Sequence, residues 1–256
     1  MIIYFSATGN SAYVAHTIAE RIGEKAVFIK EAPENLQLDE GEGLGIVFPV
    51  YFWNLPPIVE EYMQKLQLAE KRPAYLYCVA TYGSSCGAVG IQMRSHFSVR
   101  DMEMDAGYSI KMPDTWTPMF DVSSKEKVEQ QNKEAADAIE EVIVAVKNRR
   151  QGDFMGKEKY FLTALAARIF FEHRRKTKNF KVSDDCIGCG LCRKVCTDQI
   201  IKMKKTPKGN RPTWNSQRCQ MCLACLHHCP TFAISCGNNT KKHGQYIHPI
   251  GAQYLR

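Results

Sequence analysis

The stretch MIIYFSATGNS at residues 1–11 joins a short apolar run to a loop of small and hydroxyl-bearing residues. Its first five residues are typical of a buried strand, and the pattern over residues 10–23 favours a helix. Backbone N–H groups and the helix dipole attract an anion to the start of a helix. Ser6, Thr8 and Ser11 add hydroxyl groups there. The stretch therefore predicts a phosphate-binding loop between the first strand and the first helix.

Two common nucleotide motifs do not fit this loop. No lysine follows Gly9 and Asn10, so the loop is not the P-loop of an NTPase. The stretch GEGLG at residues 41–45 precedes a strand, which is the wrong context for a dinucleotide fingerprint. A loop built on hydroxyl groups suits a phosphate that carries no metal. Taken alone, the stretch is also compatible with an ordinary serine-capped helix.

Strand-like and helix-like patterns alternate through the first 150 residues. Apolar runs predict five strands, at residues 1–5, 25–30, 43–48, 73–80 and 103–112. Helical patterns predict helices at residues 10–23, 56–66, 87–97 and 123–149. This alternation predicts an α/β fold, a five-stranded parallel sheet with helices on both faces. Ligands bind such sheets at the carboxyl ends of the strands.

Two more loops follow predicted strands and belong to that same edge of the sheet. The candidate residues in them are Pro49, Val50, Tyr51, Phe52, Trp53, Asn54, Thr81, Tyr82, Gly83 and Cys86. Aromatic side chains from two loops can enclose a flat conjugated ring. A tryptophan in a loop more often fills a core, but the position of Trp53 at a strand end favours a ligand contact.

The cysteines of the second half form two runs of the pattern C-x2-C-x2-C-x3-C. The runs begin at Cys186 and at Cys219, and the spacing is that of bacterial ferredoxins with two [4Fe–4S] clusters. A zinc ribbon uses isolated C-x2-C pairs, so zinc or a single cluster is the weaker alternative. In the ferredoxin pattern the fourth cysteine of each run ligates the other cluster. We therefore predict that Cys186, Cys189, Cys192 and Cys229 bind cluster I, and that Cys219, Cys222, Cys225 and Cys196 bind cluster II.

Ser6, Thr8, Gly9, Asn10 and Ser11 resemble the loop with which flavodoxins bind the phosphate of FMN. The chain as a whole resembles the bacterial and archaeal family in which a flavodoxin-like domain is fused to a two-cluster ferredoxin. This resemblance implies FMN, with its isoalloxazine ring between the loops at 49–54 and 81–87. Flavodoxins often have glycine where the backbone contacts flavin N5, and Asn54 stands near that place.

The charge of the chain is uneven. Residues 1–150 hold 15 Lys and Arg against 21 Asp and Glu, whereas residues 151–256 hold 19 against 6. We predict three parts: an FMN domain at 1–150, a basic linker helix at 151–180, and a small α+β ferredoxin domain with a C-terminal tail at 181–256. The helical pattern itself covers residues 156–180, and its basic end at 173–178 also suggests contact with a membrane surface.

The basic half predicts the type of partner. Lys202, Lys204 and Lys205 would steer an acidic redox protein of the ferredoxin or flavodoxin type, or a reductase. Alternatively, these lysines are a solvated face or bind the acidic half of the same chain. We expect no nucleic-acid partner, because no motif of that class is found. The sequence gives no basis for predicting an oligomeric state.

Hydropathy and the N-terminus predict a cytoplasmic protein. No apolar stretch approaches the roughly 18 residues of a membrane span, and no signal peptide is recognisable. In a reducing compartment, clustered cysteines favour metal ligation over disulfides.

Three functions fit these features. The first is an electron-transfer protein that passes electrons between an external carrier, two clusters and FMN. The second is a ferredoxin-fed FMN reductase of a small organic substrate. The third is a redox or oxygen sensor.

Overall fold

The computed structural model describes residues 1–68, 72–155 and 161–255. Its strands in the first part are β1 (Ile2–Tyr4), β2 (Ala26–Phe28), β3 (Asn35–Leu36), β4 (Leu44–Pro49), β5 (Gln67–Leu68), β6 (Leu76–Tyr82), β7 (Ala106–Lys111) and β8 (Gly152–Asp153). The helices of this part are α1 (Asn10–Ile22), α2 (Pro57–Lys65), α3 (Val89–Ser98) and α4 (Lys125–Lys147).

The central sheet has the order β2-β1-β4-β6-β7-β8, and all of its neighbouring strands are parallel. The α/β prediction is confirmed, and β1, β2, β4, β6 and β7 correspond to the five predicted strands. The sixth strand, β8, is two residues long, which is too short to give a periodic pattern. The two remaining strands, β3 and β5, form a separate parallel pair.

Both faces of the sheet are buried, as its apolar strands require. Along β1, Ile3 faces one core cluster and Ile2 and Tyr4 face the other. The first cluster includes buried residues of α2 and α3, such as Met63 and Phe97. The second includes residues of α1 and α4. This arrangement leaves the carboxyl ends of β1, β4, β6 and β7 at one edge, where the loops that follow them meet.

The second part is built of short elements. They are α5 (Phe161–Arg174), β9 (Phe180–Val182), α6 (Leu191–Lys194), β10 (Ile201–Thr206), β11 (Gly209–Trp214), α7 (Ala224–His227), β12 (Ile234–Cys236) and α8 (Thr240–His243). The pairs β10–β11 and β9–β12 are antiparallel. Residues 156–160 of the predicted linker helix lie outside the described residues.

The chain after α8 returns to the first part. The His248 ring stacks on Tyr13 of α1 with 4.3 Å between ring centroids, and Tyr254 stacks on His16 at 3.6 Å. The tail therefore contacts the flavodoxin-like half as well as the ferredoxin-like half. Among the described residues, no helix has the length and apolar character needed to cross a bilayer.

We expect the two faces of α4 to differ strongly in their contribution to stability. Ile139 is 1% exposed and Val144 is 58% exposed. Ile139→Ala should lower the free energy of unfolding by about 2–5 kcal/mol, because it leaves a cavity against α1 and the sheet. Val144→Ala, also a truncation of a β-branched residue, should change it by no more than about 0.5 kcal/mol. Urea midpoints followed by circular dichroism test this, and equal shifts would contradict the packing of α4.

Candidate functional site

A cavity of about 460 Å³ opens where the strand-end loops meet. Twelve of the predicted cofactor residues line it: Ser6, Thr8, Asn10, Ser11, Pro49, Val50, Tyr51, Phe52, Trp53, Thr81, Tyr82 and Gly83. Its size is that of a typical small-molecule site. Three predicted residues, Gly9, Asn54 and Cys86, are not among its lining residues, and each has a different position.

The first loop has the geometry of an anion site. The Ser6 hydroxyl accepts a hydrogen bond from the Gly9 amide at 3.1 Å, which folds the loop back on itself. The Ser11 hydroxyl lies 2.8 Å from that of Thr81 on the neighbouring β6. Within the described part of the chain, the backbone amides of Thr8 and Ser11 have no hydrogen-bond acceptor. Amides of this kind at the start of a long helix suit a phosphate.

Gly9 lies behind the loop and contacts the tail. Its φ of 96° is in the left-handed region. A Cβ atom on Gly9 would come within 3.0 Å of the Cβ of His248 and 3.1 Å of the backbone carbon of Gly251. Glycine is therefore required at this position by its backbone conformation and by the close approach of the tail, and not by contact with the cavity.

The second loop is a tight turn whose two central residues are aromatic. Tyr51 and Asn54 exchange backbone hydrogen bonds of 2.9 and 3.0 Å. Phe52 and Trp53 between them have φ values of 49° and 61°. Bulky residues rarely adopt this conformation, which costs about 1–3 kcal/mol per residue. The strained peptide is thus at residues 52–53, one position before the predicted Asn54.

The Asn54 side chain braces this turn from outside the cavity. Its amide donates to the carbonyl of Ala164 in α5 at 3.0 Å, and its oxygen accepts from Gln92 of α3 at 2.6 Å. Cys86 is buried in the loop between β6 and α3. Neither residue was separable from the lining residues by sequence, because all of them occupy the same two loops.

A third loop, after β7, was missed by sequence reasoning. It contributes Pro113, Asp114, Thr115, Trp116, Met119 and Phe120 to the cavity. The Trp116 ring meets Phe52 edge-on at 5.0 Å. The signal was available, since the predicted strand at 103–112 ends at the same edge of the sheet as the others.

Asp114 brings a carboxyl group into the wall of the cavity. It packs so tightly on the loop after β6 that a Cβ atom on Gly83 would lie 2.3 Å from it. Burial raises the pKa of this carboxyl group, and the hydrogen bond from the Trp116 amide opposes the rise only in part. The site therefore contains a carboxyl group that holds its proton to a higher pH than an exposed aspartate.

The remaining walls come from the second half of the chain. The lining residues there are Thr163, Ala166, Ala167, Phe170 and Phe171 of α5, and Met221, Cys222 and Leu223 of the second cysteine run. Phe171 stacks on Phe52 with 5.0 Å between ring centroids. The helix predicted as a linker is thus a wall of the cavity, as is the segment that carries a predicted cluster ligand.

The neighbours of two predicted cluster cysteines follow the crossed ligand sets. Burial raises the pKa of the Cys192 thiol to about 11, and the neighbouring Cys189, Cys186 and Cys229 add to the rise. Burial also raises the pKa of Cys219 to about 12, with contributions from Cys222 and Cys196. Each of these two thiols thus has the fourth cysteine of the other run nearby. Cys192 is also close enough to Cys225 to raise its pKa, so the two sets adjoin. The described residues contain no set of three or more His, Cys, Asp or Glu with the spacing of a single metal ion.

The two runs share one backbone conformation but differ in side chains. In the first run, Gly188 and Gly190 have φ values of 70° and 76°. At the corresponding positions of the second run, Met221 and Leu223 have φ values of 55° and 57°. Glycine adopts this conformation at little cost, whereas Met and Leu do not. In the second run this conformational strain falls on Met221 and Leu223, both of which line the cavity.

Comparison with known families agrees with this geometry. Residues 1–141 match the family model described as a flavodoxin domain, and residues 185–233 match that of a 4Fe-4S dicluster domain. The chain belongs to the flavodoxin domain family. Its second half makes it a flavodoxin–ferredoxin fusion, so the protein is an electron-transfer flavo-iron–sulfur protein with FMN and two [4Fe–4S] clusters as cofactors.

Two solved structures are similar to part of the chain. A putative flavoprotein from Bacteroides uniformis is 19% identical, with a TM-score of 0.36, over 52% of this chain and 96% of its own. Rubredoxin oxygen:oxidoreductase from Desulfovibrio gigas is 17% identical, with a TM-score of 0.33, over 56% of this chain and 35% of its own. The present chain thus spans about a third of the latter protein. None of the curated proteins matches the chain.

The residues of the cavity fit FMN. The first loop supplies hydroxyl groups and open amides for a phosphate, and the three strand-end loops supply aromatic and apolar surface for a flat ring. The cysteine groups are equally suited to clusters, since thiolate is the ligand that iron–sulfur clusters prefer. The Met221 amide lies 3.2 Å from the Cys219 sulfur, and the Ala233 amide lies 3.2 Å from the Cys229 sulfur.

We expect Gly87→Ala to weaken FMN binding about tenfold or more. A Cβ atom on Gly87 would lie 2.2 Å from the Trp53 Cβ, so the strained turn must move. Gly23→Ala is the matched control, because Gly23 also has a positive φ but has nothing within 4 Å of such an atom. Both variants carry backbone strain, and only the first displaces the turn. Flavin fluorescence titration measures the dissociation constants, and equal values for the two variants would contradict the placement of FMN against this turn.

The crossed ligand sets predict which cluster each substitution removes. Wild-type protein should hold about eight iron and eight sulfide per chain. Cys229→Ala should abolish the same EPR signal as Cys189→Ala, and Cys196→Ala the same signal as Cys222→Ala. The opposite grouping, in which Cys229→Ala matches Cys222→Ala, would mean that each run binds its own cluster.

Proposed function

We propose that the protein carries electrons from an external redox protein through cluster I and then cluster II to FMN, or in the reverse order. The observation that carries this proposal is that Cys222, a predicted ligand of cluster II, lines the same cavity as the flavin loops. Tyr51 of the second flavin loop supports it further. Burial raises the pKa of the Tyr51 hydroxyl, and the thiols of Cys222 and Cys219 are close enough to add to the rise.

The predicted ligands of cluster I include an exposed cysteine. Cys189 is exposed, whereas the predicted ligands of cluster II are all buried or half-buried. Ile187, between two ligands of cluster I, is 68% exposed. These exposures support an order in which cluster I meets the partner and cluster II meets the flavin.

The chain's own residues would bind and orient the cofactors. The proposed FMN residues are Ser6, Thr8, Asn10, Ser11, Pro49, Val50, Tyr51, Phe52, Trp53, Thr81, Tyr82 and Gly83, joined by Asp114 and Trp116. FMN exchanges one or two electrons and each cluster exchanges one. The protein supplies position, exclusion of water and local charge. One chain that holds all three centres replaces a diffusional encounter by a fixed distance.

The order of transfer can be tested by anaerobic stopped-flow spectroscopy with a reduced acidic ferredoxin as donor. Cluster bleaching should precede flavin reduction in the wild-type protein. Cys189→Ala, which removes cluster I, should slow flavin reduction by more than an order of magnitude while FMN content stays constant. An unchanged rate of flavin reduction would exclude the path through cluster I.

The second candidate is a ferredoxin-fed reductase of a small organic substrate. The observation that favours it is the half-buried carboxyl group of Asp114 on the cavity wall, whose raised pKa makes it a candidate proton donor. Steady anaerobic turnover of an organic acceptor by the reduced protein, lost in Asp114→Asn with FMN retained, would support the enzyme. Transfer to redox proteins alone would support the carrier.

The charge of the β10–β11 hairpin supports an acidic partner. Lys202, Lys204 and Lys205 are all exposed. Side chains alternate along a strand, so Lys202 and Lys204 share one face, with Arg211 of β11 opposite Lys204. Lys205 belongs to the other face, near the tip. Nearby, Lys208 is already paired with Asp184 at 2.7 Å. We propose that the face of Lys202 and Lys204 steers the partner towards cluster I.

Reversing this face should slow electron transfer at low salt. Lys202→Glu with Lys204→Glu should lower the second-order rate constant with an acidic ferredoxin about tenfold at low ionic strength. The double variant should also lose most of the salt dependence, because steering is screened over about 10 Å at 0.1 M salt. Lys125→Glu with Lys127→Glu on α4 makes the same change of net charge at exposed positions of the flavodoxin half. Equal slowing by both pairs would attribute the effect to net charge and contradict a docking face.

A further inference from the structure

A hydrogen-bond network joins four separate segments behind the flavin cavity. The Asn10 amide group donates to the Pro113 carbonyl at 3.1 Å. The Tyr246 hydroxyl lies 2.9 Å from the Asn10 oxygen and 2.9 Å from the Asn132 oxygen of α4. The Tyr246 backbone amide donates to His227 Nδ1 at 3.2 Å. His227 Nε2 completes the network at 2.9 Å from the Thr115 carbonyl. The phosphate loop, the third flavin loop, the tail and the second cysteine run are thereby connected.

The network requires one protonation state of His227. A carbonyl oxygen only accepts, so Nε2 carries the proton, and Nδ1 is free to accept from the Tyr246 amide. The ring is 3% exposed. A neutral imidazole with one donor and one acceptor satisfies both partners. The ring is thus a fixed spacer between two loops.

Two further contacts fasten the phosphate loop to the same segments. His228 Nε2 lies 3.2 Å from the Ala7 carbonyl, and the His248 amide donates to the Thr8 carbonyl at 2.8 Å. Together with the Gly9 contact to the tail, these bonds fix the carbonyl side of the loop. The amides on its other side keep the direction that a phosphate needs.

The segment that carries both histidines follows directly on three predicted ligands of cluster II, Cys219, Cys222 and Cys225, and ends at Cys229, a predicted ligand of cluster I. The helix α7, which ends at His227, is four residues long, far below the length at which a helix is stable alone. Ligation of metal orders such segments and contributes folding free energy.

We infer that FMN binding and occupancy of cluster II are thermodynamically linked, with His227 and Tyr246 as the positioning residues that transmit the link. An assembled cluster holds His227 against Thr115 and Tyr246 against Asn10, and so holds two flavin loops in their binding conformation. By reciprocity, bound FMN stabilises the cluster by the same factor. The inference does not depend on which carriers exchange electrons with the protein.

The test measures binding and cluster retention in the full-length protein. FMN affinity is titrated anaerobically with the clusters intact and again after an iron chelator has removed them. We expect the dissociation constant to rise about tenfold or more on cluster removal. The reciprocal experiment starts from fully loaded protein. Protein saturated with FMN should lose cluster II to the chelator several times more slowly than protein without FMN.

Variants locate the link. Tyr246→Phe and His227→Ala should each weaken FMN binding several-fold in cluster-loaded protein, and should reduce the effect of FMN on cluster loss. His227→Gln, which keeps a donor towards Thr115, should restore part of the affinity. The matched controls are Tyr254→Phe, another tail tyrosine, and His173→Ala, an exposed histidine that bonds within α5. Both controls should behave as wild type.

Two results would overturn the inference. One is an equal dissociation constant for FMN with and without clusters, together with a rate of cluster loss that FMN does not change. The other is a wild-type coupling factor in Tyr246→Phe at full iron content. Tyr246 is outside the cysteine runs, so this variant decides the question even if His227→Ala fails to assemble its clusters.

Discussion

The structure depends on one contact, between the second cysteine run and the carboxyl edge of the parallel sheet. Parallel strands leave their carboxyl ends at one edge, and the loops there form one side of the cavity. Met221, Cys222 and Leu223 supply one missing wall and α5 supplies another. One of these residues, Cys222, is also a predicted cluster ligand. We therefore propose that side-chain packing between the two halves of the chain, and not a linker, sets the distance between the redox centres.

Two equivalent positions in each cysteine run show the backbone strain that accompanies this contact. The first run uses glycine at both of its left-handed positions, where the chain faces solvent and the basic hairpin. The second run uses Met and Leu at the equivalent positions, although each has an unfavourable backbone conformation. Phe52 and Trp53 add two more such residues on the facing flavin loop. Four strained apolar residues thus line the site. Met221 and Leu223 are 3% and 2% exposed, and burial of these two side chains offsets part of the strain.

Polar groups at the boundary serve as fixed connectors. His227 and Asn10 each use a donor and an acceptor atom, and Tyr246 uses its backbone amide and its hydroxyl, so each can satisfy two segments at once. In a buried environment an unpaired polar group is costly, which makes such a network either complete or destabilising. The network explains why the tail, which has no periodic pattern, lies over the phosphate loop.

The sequence by itself determined the elements with a repeating or spaced signal. Apolar runs and helical spacing predicted the α/β sheet, hydroxyl residues after β1 predicted the phosphate loop, and cysteine spacing predicted two clusters. Local patterns suffice there because each element buries its own face or binds its own ligand. Only the tertiary structure decided which residues share the cavity. It brought in Asp114, Trp116, α5 and Met221, left Asn54 behind the turn, and joined His227 to Thr115. Some of these paired residues, such as His227 and Thr115, are more than a hundred residues apart in the chain. They meet because the two halves of the chain pack together, and no local sequence pattern encodes that contact.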